Sequence, residues 1–126
     1  MRDQFLSETP QRRLVQLAAQ FGRITASIEA RQPDRIVTDE MRTTQALCAA
    51  AAPGAPSAET STLLTNVQTA LETWRTVWPR MSGRAEFRRA VTRETALWAK
   101  KFQALALRQA QGERPERSRR TLAKDS

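Results

Sequence analysis

The side chains able to do chemistry are few. The 126 residues contain no histidine, which removes at once the commonest general base and the commonest metal ligand. Cys48 is the only cysteine, so no intrachain disulfide can form. Its ALCAAAA setting reads as a small buried hydrophobe, not a reactive thiol. Four carboxylates, Glu29, Asp34, Asp39 and Glu40, fall close together. Their places are the polar faces and first turns of helices, where acids favour the positive end of the helix dipole. There is no Gly-rich phosphate loop and no nucleophile elbow. The expectation is a protein that is not an enzyme, with no cofactor and no metal.

What remains is positive charge and aromatic bulk. Arg80, Arg84 and Arg88 are spaced i, i+4, i+8, with Arg89, Arg93, Lys100 and Lys101 nearby. On a helix these offsets share neighbouring strips. Such a stripe can track phosphates, because each phosphate neutralised releases counterions. It is also what a solvated face opposite an apolar stripe looks like. The net charge is +8, and residues 1–79 hold eight Lys/Arg against eight acids, so the excess lies wholly in residues 80–126. Trp74, Trp78 and Trp98 sit in apolar stripes, where core packing is the default reading and an anchor for a partner the alternative.

These residues need helices to position them. The chain is 40% hydrophobic and 27% charged, with few glycines and only 6% aromatics, a composition that favours helix over sheet. Leu14, Leu17, Phe21, Ile24 and Ile28 recur at 3-4-3-4 spacing on a first helix. It opens near Pro10 behind a Thr9 N-cap and ends near Arg31, before Pro33. Gly22 inside it suggests close helix packing. A second helix starts at Pro33-Asp34 and carries Ile36, Val37, Met41, Leu47, Cys48 and Ala51. A flexible connection follows at about residues 52–58, with Ser57 as the next N-cap.

Leu64, Val67, Leu71, Trp74, Trp78 and Met81 mark a third helix. Pro79 is expected to kink or end it at about Trp78, and the nearness of Ser82 and Gly83 favours a break. A fourth helix carries Phe87, Val91, Leu97, Trp98, Phe102 and Leu105. Past Leu107 the apolar pattern stops, so a helical domain of residues 1–107 and a disordered basic tail of residues 108–126 are expected. No apolar run reaches the length of a membrane span. The N-terminus lacks the apolar core of a secretory signal, which points by default to the cytoplasm.

The segment from Ile24 to Ala52 resembles the corresponding part of FlgN-type flagellar export chaperones. Ile28, Ala30, Arg31, Pro33, Arg35 and Ile36 match the turn that follows the first long helix of that family. Ala46, Leu47, Ala49 and Ala50 match the close of its short second helix. The resemblance covers about a quarter of the chain. It implies a soluble cytoplasmic helical protein that holds C-terminal segments of hook–filament junction proteins and prevents their premature assembly. The strong basic charge and Pro79 depart from the family pattern.

The combined expectation is an all-α antiparallel bundle of three to four amphipathic helices that binds a protein helix. Phe87, Val91, Trp98, Phe102 and Leu105 form the candidate partner stripe, left incompletely covered by the protein's own core. Arg84, Arg88, Arg89 and Arg93 form its basic rim. The alternative is a nucleic-acid-associated protein in which the same four arginines contact phosphates.

Overall fold

A computed structural model describes residues 9–112, which form four α-helices and no strand. They are α1 (Pro10–Glu29), α2 (Asp34–Ala51), α3 (Ala58–Met81) and α4 (Ala85–Gly112), with a short 3-10 turn over Ala52–Gly54. The fold is an all-α bundle running alternately up and down, as the sequence predicts. No described helix is long and apolar enough to cross a membrane.

The helices begin where their cap chemistry allows. Thr9 accepts from the Arg12 N–H at 3.2 Å, and Pro10 opens α1. Ser57 accepts from the Thr60 N–H at 3.1 Å at the start of α3. In each case a hydroxyl satisfies an amide with no partner inside the helix. α1 ends differently. Gln32 N–H donates to Ser27 O at 3.0 Å and Arg31 N–H to Ile28 O at 3.1 Å. This pair of bonds is a Schellman cap, and it holds Arg31 in the left-handed region at φ 55°, where glycine is the usual occupant.

The predicted stripes of α1 all turn inward. Leu14, Leu17, Phe21, Ile24 and Ile28 are buried, and they meet Val37, Met41, Leu47 and Cys48 of α2 and Leu64, Val67, Leu71 and Trp78 of α3. α1 packs closely along α4 and also against α2, which in turn packs along α3; α3 and α4 approach each other little along their backbones. Large rings fill that wider seam. Trp74 stacks on Trp98 at 5.1 Å, and Trp78 meets Phe87 at 5.7 Å. Phe21 lies between Trp98, edge-on at 5.5 Å, and Phe102, stacked at 5.4 Å. The bundle thus has one aromatic joint between α1, α3 and α4, worth more than its buried area alone.

Three sequence expectations are corrected. Pro79 lies inside α3, which runs on to Met81. One lost amide bond near a helix end is tolerable when fully buried Trp78 fixes the turn and Ser82 N–H caps the Trp78 carbonyl at 2.8 Å. The break falls at residues 82–84 instead. Gly22 does not enable close packing, since a Cβ built there meets nothing within 4 Å. Residues 108–112 are helical, not tail. The run Arg108, Gln109, Ala110, Gln111 consists of good helix formers, and Arg108 makes a two-pronged ion pair with Glu59 at 3.1 Å on each arm. The remainder of the expected tail, residues 113–126, lies outside the described residues.

Candidate functional site

The predicted partner stripe is mostly core. Val91 and Phe102 are fully buried, Trp98 is 9% exposed and Leu105 7%; only Phe87 is half-buried, and its ring leans on Trp78. The expectation of an incompletely covered stripe therefore fails. The reason is size: Phe21, Trp74 and Trp78 reach across gaps that aliphatic side chains would leave open. Leu97, read as part of the apolar set of α4, is 42% exposed instead.

The basic residues separate into two kinds. Arg88 is structural. Its guanidinium donates to Ile28 O and to Ser82 O, each at 2.8 Å, and lies 5.3 Å over the Trp78 ring. It places a positive charge at the C-terminal, negative ends of α1 and α3 together, with a cation–π contact added. The other predicted rim residues, Arg84, Arg89 and Arg93, are exposed and make no ion pair among the described residues.

Because Arg88 ties the end of α1 to the α3–α4 turn, the α1–α2 turn and the α3–α4 turn share one end of the bundle. That end carries six exposed arginines, Arg31, Arg35, Arg80, Arg84, Arg89 and Arg93, against Glu29, Asp34 and Glu86. Between the end of α1 and the first turns of α4 lies an open groove of about 430 Å³, with Arg31, Arg89, Arg93 and Thr92 on its walls. Residues 80–112 hold eight Lys/Arg and two acids. Most of the positive excess therefore belongs to the folded helices and not to the segment beyond them.

A second concavity lies at the opposite end of the α3–α4 seam, past the last tryptophan. It is an open groove of about 500 Å³ with Leu63, Ala104 and Leu105 as apolar floor and Asn66, Lys101 and the Arg108–Glu59 ion pair on the rim. Of the predicted partner stripe, only Leu105 borders it. The signal that could have found this groove is the change from tryptophan to leucine and alanine at seam positions along α3 and α4. Reading it requires knowing which helices pair.

No group of three or more His, Cys, Asp or Glu among the described residues is placed to hold a metal. Cys48 is buried, and that burial pushes its thiol up to about 12, so little reactive thiolate exists near neutrality. Sequence reading also missed a buried polar joint: the Thr25 and Thr95 hydroxyls of α1 and α4 lie 2.7 Å apart, with Thr95 fully buried. Compared with known proteins, the chain matches no family model, no curated protein and no solved structure.

Proposed function

We propose that the protein is a non-enzymatic binding protein that holds an amphipathic helix of a protein partner in the α3–α4 groove. The observation that carries this reading is the open end of the seam, where half-buried Leu63 and exposed Ala104 offer apolar surface above buried Leu105, and no aromatic ring covers them. A helix entering such a groove places i, i+3, i+4 side chains on the floor. Lys101, exposed on the rim and without an ion pair among the described residues, favours an occupant with an acidic flank. The finer reading follows the resemblance over residues 24–52: a FlgN-type export chaperone, acting in the cytoplasm on the C-terminal segments of hook–filament junction proteins.

The test pairs binding with stability. Ala104 is exposed, so Ala104→Asp should change the melting temperature little while placing a carboxylate on the groove floor, where it competes with an acidic occupant for Lys101 and Arg108. Titration of wild-type protein with synthetic junction-protein C-terminal peptides should show saturable binding, weakened at least tenfold in the variant. No binding to wild type would remove the chaperone reading. Unchanged binding in Ala104→Asp would remove the groove.

A further inference from the structure

We propose that the arginine-rich end of the bundle, centred on the groove between the end of α1 and the start of α4, is a phosphate-binding surface that takes the backbone of a nucleic-acid duplex. This surface is separate from the α3–α4 groove and lies at the other end of the molecule.

Several observations converge on an oxyanion. Arg31, in the turn that follows α1, and Arg89 and Arg93, on α4, line the groove. They are exposed and take part in no ion pair among the described residues, although Glu29 stands in the same wall. A guanidinium fork matches phosphate oxygens in pairs. Arg31 occupies a left-handed position at φ 55°, one that glycine fills at lower cost. An outlier of this kind motivates a search for function at that residue. Arg84 immediately precedes α4, and its side chain carries no acceptor to cap the first-turn amides. Those amides, beside Ala85 in the groove wall, add a partial positive charge where an anion would sit.

The lining also discriminates between anionic partners. A bound protein segment draws its affinity from buried apolar anchors, yet the apolar side chains here are Ala85 and the already buried Ile28. Charge alone suffices for a phosphodiester backbone. Binding to single strands relies on exposed aromatic platforms, whereas Trp78 and Phe87 near this end are packed against each other. A duplex held by its phosphates, without base readout, is the ligand that fits.

The experiment uses the full chain and a short mixed-sequence DNA duplex, with affinity followed by fluorescence anisotropy from about 50 to 200 mM salt. Wild type should bind at low salt and weaken steeply as salt rises. Arg89→Glu/Arg93→Glu should bind at least tenfold more weakly. Its log K versus log salt slope should be shallower by about 0.9 for each phosphate that the variant no longer neutralises. Arg23→Glu/Lys100→Glu, which changes net charge equally at other exposed positions, should retain most of the binding. Arg89→Gln/Arg93→Gln provides the same comparison should the reversed charges disturb folding. The proposal is overturned by absence of binding at low salt, or by equal losses in the two charge-reversed proteins. Tighter binding of polyglutamate than of duplex overturns it in favour of an acidic protein partner, and preference for single strands overturns the duplex assignment.

Discussion

At the residue scale, identical side chains spaced for one helix face have different roles. Arg84, Arg88, Arg89 and Arg93 read in the sequence as one basic rim, but Arg88 is committed to the fold by two hydrogen bonds of 2.8 Å to carbonyls of other segments. Its distinction was not legible, because both acceptors are backbone oxygens, one of them sixty residues away. Arg88→Met keeps the aliphatic stem and removes both charge-assisted bonds. It should destabilise the protein by about 2–3 kcal/mol, the range for hydrogen bonds made by a charged group whose acceptors are then stranded. Arg89→Met, at an exposed neighbour, should stay within about 0.5 kcal/mol of wild type. Urea denaturation of both proteins checks the pair, and equal stabilities would show that the carbonyl contacts contribute nothing.

At the element scale, the helices were legible where period and caps agree. The 3-4-3-4 stripe of α1, the Thr9 and Ser57 caps and the proline-rich connection before α3 all stand close to where the residues placed them. The misplaced boundaries, at Pro79 and after Leu107, were decided by tertiary burial and by propensity without apolar pattern. Gly22 sharpens the point. It sits inside α1 on the solvent side, with a helical φ and nothing within 4 Å of a built Cβ. Glycine there keeps its entropic penalty and returns no packing. Gly22→Ala should therefore stabilise the protein by about 1 kcal/mol, read as a melting temperature higher by roughly 4–8 °C. A fall in melting temperature would mean that α1 needs the flexibility, or that the exposed face of α1 meets something in solution.

At the scale of the whole molecule, the aromatic joint decides how the bundle closes. Trp98 touches Phe21 of α1 and Trp74 of α3 from its place on α4, so one side chain links three helices. Its position in an apolar stripe reads first as core, but spacing alone left the partner-anchor reading open. Spacing within α4 cannot show that α3 stands away from α4, nor that the gap is wide enough to need indole rings. Trp98 as an exposed partner anchor would leave the fold intact when truncated; at 9% exposure it cannot. Trp98→Ala should cost about 3–5 kcal/mol, the usual range for emptying a buried aromatic site. That is a large share of the roughly 5–15 kcal/mol that holds a domain of ordinary stability together. Leu97→Ala, one position along and 42% exposed, should cost well under about 1 kcal/mol. Thermal melts followed by circular dichroism compare the two directly. A Trp98→Ala protein that melts with wild type would move Trp98 back to the surface and make it available to a partner. A large loss confined to Trp98→Ala assigns it to the joint that holds α3 and α4 together.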